Sequence, residues 1–328
     1  MHNHVLKGKN IETMEKIQCL KLTAALNDEG RRLDRILRKA LPDMSLSCLH
    51  RLLRTGRIRV NDGPAQASHR IHSGDSISID ADIPVHDNIT KPTPEIRHTL
   101  DILYEDEGLL ILNKPAGVPV HGQRSMEQMV QSYLDGRIDT SLSFRSGPLH
   151  RLDQPTSGVL VFSKSLSGAH FFSSLLQSRR VKKRYLAIVN GIITGPERWE
   201  DRLFRDRSAR KTAPDDAGSQ GITEITPLLT VPGFSFVRAE IQTGRTHQIR
   251  AQAAIHGHPL SGDGKYGGSH GIFFLHAYSL EIPFPAGPRS FYAPVPEDFR
   301  RRLLELFGDT ITELLALDGH RLPESGAV

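Results

Sequence analysis

The apolar positions of this chain change period along its length. Residues 1–29 are polar with no clear period, and Met14 offers an alternative start within them. From Arg31 the pattern turns helical. Leu33, Ile36, Leu37, Ala40 and Leu41 share one face until Pro42 stops the run. Ser45 is placed to cap a second helix carrying Leu46, Leu49, Leu52 and Leu53, which ends at Gly56. A short strand over Arg57–Val60, a turn at Asn61–Pro64 and a strand over Asp75–Asp80 with Ile77 and Ile79 alternating complete a unit of about 50 residues. Residues 81–97, with three prolines and no period, read as a linker.

Beyond it, strands are expected at Ile102–Tyr104, Leu109–Asn113, Val159–Phe162, Tyr185–Val189, Thr223–Leu229 and Phe234–Ile241. Helices are expected at Glu127–Asp135, Leu166–Gln177 and Thr246–His256. Strands and helices do not alternate strictly, which favours an α+β domain with a mixed, mainly antiparallel sheet flanked by helices over a doubly wound parallel sheet. The expected organisation is an extension over 1–29, a small domain over 30–80, the linker 81–97, a large domain over 98–300 and a tail over 301–328.

Composition narrows the class. The chain has 328 residues, 38% hydrophobic and 24% charged, enough for about two globular domains. The longest apolar runs are strand-sized, so no membrane span is expected, and no h-region of a secretory signal opens the chain. Two cysteines cannot make a disulfide framework or a four-cysteine zinc site, which suits a reducing, cytoplasmic setting.

Charge adds a partner. Arg31 to Arg59 holds nine basic residues against two acidic, a net of +7, and Arg179–Arg184 holds five basic residues in six. Either cluster alone is as readily a solvated face. Together they suit a polyanion, because each Lys or Arg beside a phosphate releases condensed counterions.

Two polar segments stand out for chemistry. His150–Gly158 feeds the apolar strand Val159–Phe162 and puts Asp153 on a loop at its mouth. Asp153 there is either a turn-forming residue or a carboxylate held by a rigid scaffold. Thr243–Arg250 joins a strand to a helix expected to be capped by Thr246. On that helix Arg250 would form a surface salt bridge or reach into a cleft and hold a carboxylate ionised and oriented. Gly262–Gly267 matches GxGxxG, but no useful strand precedes it and no helical pattern follows. His247, His256 and His258 lack a recognisable metal-ligand spacing.

Taken in order, NKPAGVPVHG (113–122), HRLDQPTSG (150–158), GRTHQIR (244–250), HPLSGDGKYGG (258–268) and LHAYSL (275–280) resemble the RluA-type pseudouridine synthases, which isomerise uridine in RNA. The basic unit before them is similar to an S4 RNA-binding domain. The resemblance runs from about Gly30 to Pro285. Gln154-Pro155 and Ile282–Pro285 depart from the usual pattern, and residues 1–29 and 300–328 lie outside it.

The resemblance implies an isomerase that works by base flipping and needs neither redox cofactor nor metal. It places Asp153 as the carboxylate that initiates glycosidic cleavage, Tyr185 stacked on the flipped uracil and helping to remove the C5 proton, and Arg250 paired with Asp153. Arg151 would fill the space the nucleotide leaves, and Leu275 would line the base pocket. Arg31, Arg35, Arg38, Arg51, Arg54 and Arg57 of the S4-like domain, with Lys182 and Lys183, would contact RNA. The implied partner is large-subunit ribosomal RNA or a pre-ribosomal particle, met by a monomer. The alternatives are a tRNA pseudouridine synthase and a non-catalytic ribosome-assembly factor. A glycosidase would need a second carboxylate nearby, and none occurs between Asp153 and Glu197.

Overall fold

The computed structural model describes residues 19–81, 99–138, 141–206, 208–209, 211–268 and 271–316. The chain divides into two compact units, one from 1–92 with 139–144, the other from 93–138 with 145–328. The expected linker over 81–97 lies outside the described residues except for Ala81, which is buried in the small unit's core.

In the small unit, β1 (Cys19–Thr23), α1 (Leu33–Ala40), α2 (Leu46–Arg54), β2 (Ile58–Val60), β3 (Gly63–Pro64) and β4 (Ser76–Asp80) follow in order. The sheet is antiparallel with strand order β1-β4-β2-β3. Both helices form where the 3.6-residue spacing of apolar positions requires. Leu33, Ile36 and Leu37 of α1 and Leu49, Leu52 and Leu53 of α2 bury against Ile58, Ile77 and Ile79. The Ser45 hydroxyl accepts from the Cys48 N–H and caps α2, as its position suggested. The unit starts earlier than the expected boundary at 30, because β1 pairs along the whole of β4. Arg35, Arg38, Arg51, Arg54 and Arg57 are exposed. Arg31 is not: half-buried, it donates to the Ser143 hydroxyl at 2.7 Å. Residues 141–143 are held in the same unit by buried Asp28, which accepts from the Ser141 and Ser143 hydroxyls and the Leu142 N–H.

The large unit comprises β5 (Ile102–Glu105), β6 (Leu109–Lys114), α3 (Met126–Leu134), β7 (Ser157–Ser163), α4 (Leu166–Gln177), β8 (Lys182–Asn190), β9 (Glu197–Asp206), β10 (Lys211–Pro214), β11 (Ser219–Val231), β12 (Phe234–Ile241), α5 (Gln248–Ile255), β13 (Leu275–Phe284), β14 (Gly287–Tyr292), α6 (Glu297–Phe307) and α7 (Thr310–Ala316). Ten strands form one sheet in the order β10-β9-β11-β12-β8-β13-β7-β6-β5, with β14 on β13. Every pairing is antiparallel except β13 with β7. The period of two along β8 sorts its side chains: Tyr185, Ala187 and Val189 face the core that holds α3 and α5, while Leu186 and Ile188 face α6.

Three expectations are corrected here. The segment 301–316 is not a tail: α6 and α7 bury Phe299, Leu303, Phe307, Ile311 and Leu314 against the sheet. The N-cap position of α5 is His247 rather than Thr246, and its side chain makes no capping bond. Strand β8 begins at Lys182, so Lys182 and Lys183 belong to the sheet and not to a free basic run.

The parallel contact of β7 with β13 is narrow, His276 to Ser157 and Ala277 to Gly158. Gly158 has φ +112°, and a Cβ there would lie 2.2 Å from the Ala277 carbonyl oxygen. His276, fully buried on β13, accepts from the Ser157 hydroxyl at Nδ1 (2.8 Å) and donates from Nε2 to the Ala293 carbonyl (3.1 Å). Gly158→Ala should therefore destabilise the fold by about 3 kcal/mol or more, combining a backbone region that only glycine visits with a main-chain clash. Gly195→Ala, with open space around it and no positive φ, should be nearly neutral. Thermal unfolding of the two variants checks this; equal melting temperatures would contradict it.

Candidate active site

The loop before β7 is held from behind. The Asp153 carbonyl accepts from the Thr156 N–H at 3.0 Å and closes a turn. Gln154 pairs twice with Gly117: its carbonyl accepts the Gly117 N–H (2.9 Å) and its amide donates to the Gly117 carbonyl (3.0 Å). At the end of β6, the fully buried Lys114 donates to the carbonyls of Pro115 (2.9 Å), Val118 (2.7 Å) and Gln154 (3.0 Å). Burial lowers the Lys114 pKa to about 8, with the Asp153 charge opposing the shift. Three carbonyls thus take the place of water around the ammonium and tie the two loops together.

Arg250, in the first turns of α5, reaches the same place. Its Nη1 donates to Asp153 Oδ2 at 3.0 Å, while Nε and Nη2 form a fork on Asp263, at 2.7 and 2.9 Å. Side-chain exposure is 8% for Arg250, 1% for Asp263 and 21% for Asp153, so only Asp153 meets solvent to any extent. The guanidinium lies 4.6 Å from the Phe273 ring centroid and 5.0 Å from that of Tyr266. Burial alone would lower the Arg250 pKa, but Asp263 and Asp153 outweigh it and raise it.

His247 stands on the other side of Asp153, with Nε2 3.7 Å from Oδ1. Its Nδ1 lies 2.8 Å from the Tyr266 hydroxyl and 3.3 Å from Arg205 Nη1. Burial lowers its pKa to about 4, against the pull of Asp153.

These side chains face a cleft of about 700 Å³ lined by Asp153, Tyr185, Arg151, Lys183, Arg179 and His247 among others, and a small inner pocket of about 60 Å³ where Leu275, Ile249 and Thr156 join Asp153 and Tyr185. Tyr185 is buried, and its pKa is raised by burial first and by the Asp153 charge second, which keeps the phenol protonated.

The structure therefore brings together Asp153, Tyr185, Arg250, Arg151, Leu275 and Lys183. Lys182 points elsewhere, to Glu281 at 2.9 Å. Lys114, Asp263, His247 and Tyr266 were not singled out as site residues, although each lies inside a quoted motif. His256 and His258 serve structure, stacking on Trp199 and bonding the Asn190 carbonyl respectively.

His150, His247 and His276 all have lowered pKa values, about 3, 4 and 4, with burial the first cause in each. Each is neutral in the folded chain and returns to about 6.5 on unfolding. The stability they contribute is complete above pH 6.5 and declines as pH falls through the window down to about 4 for His247 and His276 and about 3 for His150. Unfolding at pH 5.5 should take up about three protons, read from calorimetric enthalpies in buffers of different ionisation heat. An uptake below one would contradict this assignment.

The RNA pseudouridylate synthase family profile matches residues 108–254. The ribosomal large subunit pseudouridine synthase D of Neisseria meningitidis serogroup A is 33% identical over 301 residues, covering 84% of this chain and 79% of that protein. Its namesake in Pseudomonas aeruginosa is 32% identical over 292 residues, covering 82% and 90%. Among solved structures, human RNA Pseudouridylate Synthase Domain Containing 4 shares the fold at a TM-score of 0.53 and 23% identity, covering 62% of this chain and 91% of that one. With about a third of the aligned positions identical across most of the length of such relatives, the chain belongs to the RNA pseudouridylate synthase family.

Proposed function

We propose that this pseudouridine synthase acts on large-subunit ribosomal RNA, with Asp153 as the initiating carboxylate. The observation that carries the site assignment is the bond from Arg250 to Asp153 Oδ2 beside a small pocket lined by Tyr185 and Leu275. Among the described residues, it leaves Oδ1 with His247 Nε2 at 3.7 Å as its ion-pair neighbour. The reaction breaks N1–C1′ and forms C5–C1′; C5 loses a proton and N1 gains one, so composition and oxidation state are unchanged. A uridine stacked in RNA hides both carbons, and extrusion costs a few kcal/mol. Phosphate contacts along the exposed Arg179 and Arg180 and along the arginines of α1 and α2 would offset that cost.

In this reading Asp153 acts on the sugar of the flipped nucleotide as nucleophile or as base, and Tyr185 stacks on the uracil and helps remove the C5 proton. Arg151, exposed at the mouth, fills the vacated stack. The rRNA target is supported by the relatives, which are named for the large subunit, and by the S4-like unit. The setting is a cytoplasmic monomer acting on rRNA or a pre-ribosomal particle. No helix among the described residues is long and apolar enough to cross a membrane.

The test is tritium release from transcripts labelled at uridine C5. Native protein should release tritium from large-subunit rRNA but not from tRNA, and Asp153→Asn should release none while still binding. Release from tRNA alone would replace the rRNA reading, and release by Asp153→Asn would remove Asp153 from its role. Tyr185→Phe should keep RNA affinity within about twofold and slow turnover at least about 100-fold; full activity would remove Tyr185 from the mechanism.

A further inference from the structure

We infer that His247, with its proton on Nε2, is a positioning residue that aims Asp153 Oδ1, the oxygen Arg250 does not hold. The inference rests on the reading of Asp153 given above.

The backbone is the first sign. His247 occupies the N-cap of α5 with φ 53° and ψ 28°, a left-handed conformation, and its side chain makes no capping bond. N-caps ordinarily hold extended backbone and a side chain that accepts from the next turn. A strained non-glycine residue that forgoes this role is sustained by what its side chain does elsewhere.

The ring has one orientation and one tautomer. The Tyr266 hydroxyl accepts the Thr212 N–H at 2.8 Å and lies 2.8 Å from His247 Nδ1. Arg205 Nη1, a donor only, approaches the same nitrogen at 3.3 Å. Nδ1 is therefore the acceptor, and the ring proton sits on Nε2, facing Asp153 Oδ1.

The two oxygens of Asp153 are thereby distinguished. Oδ2 is bonded to Arg250 at 3.0 Å, while Oδ1 faces a donor at 3.7 Å, beyond hydrogen-bond length. At that separation His247 limits where Oδ1 can swing without occupying the lone pair that must react. A movement of under about 1 Å would close the gap once the substrate has entered and Oδ1 has done its work.

Asparagine and glutamine separate this role from bulk structure. An Asn side chain places its amide near the Nδ1 position and cannot reach Asp153, and it tolerates left-handed backbone well. Gln extends its amide to the Nε2 position. Single-turnover tritium release at saturating rRNA should fall about 30-fold in His247→Asn, with RNA affinity within about twofold of native. His247→Gln should recover to within about fivefold of native. Tyr266→Phe, which removes the hydroxyl beside Nδ1 that holds the ring in place, should lose about fivefold.

Equal rates for the Asn and Gln variants, or a loss expressed wholly in RNA affinity, would overturn the positioning role. A fully active His247→Asn beside an active native protein would overturn it while leaving the isomerase reading intact. A native protein that releases no tritium from any RNA would overturn both.

Discussion

A guanidinium that is almost wholly buried must have its charge answered inside the protein, and Arg250 meets that demand with Asp153 and Asp263. The requirement fixes three segments against one another: the loop entering β7, the start of α5 and the turn-rich stretch before β13. One guanidinium and two carboxylates leave an excess negative charge. Lys114 balances it from behind, its pKa supported by Asp153 and its ammonium bonded to the Gln154 carbonyl next in the chain. A buried ion pair of this kind is weak evidence for stability. What it supplies is position, since a carboxylate held by Oδ2 can turn only about that bond.

The scaffold serves the same end. β7 and β13 run parallel for just two residue pairs, and that brief contact brings Leu275 next to the loop carrying Asp153. Only glycine at 158 allows the approach, and the Ser157–His276–Ala293 chain of hydrogen bonds closes it on the other side. The alternation of β8 then delivers Tyr185 to the face occupied by α5. One register shift in β8 would turn Tyr185 away from Asp153 and expose Leu186 and Ile188 to the wrong core.

Much of the fold could be read from local pattern. The helix Leu166–Gln177 and the strand Phe234–Ile241 have the bounds their spacing suggests, and the small unit's helices stop where Pro42 and Gly56 require. Strands β9 and β13 were missed for a physical reason. β9 buries only Trp199 and Leu203 among charged neighbours, and β13 is buried on both faces yet carries His276, Ser279 and Pro283. α6 has a regular apolar spacing at Phe299, Leu303 and Phe307, a helical signal present in the sequence of the segment expected to be a tail. At the site, Asp153 and Arg250 were legible as polar residues at element boundaries. Asp263, His247 and Lys114 were not, because their roles depend on partners 13, 94 and 40 residues away in sequence or on a left-handed turn.

The proposed role of Asp153 implies that Asp263 acts on catalysis only through the guanidinium the two carboxylates share. A double-mutant cycle in single-turnover tritium release measures this directly, using Asp263→Asn, Arg250→Lys and the pair. The account predicts that Asp263→Asn slows the native enzyme by about 10- to 100-fold and adds almost nothing in the Arg250→Lys background, where the fork is already lost. Fully multiplicative effects of the two substitutions would contradict it.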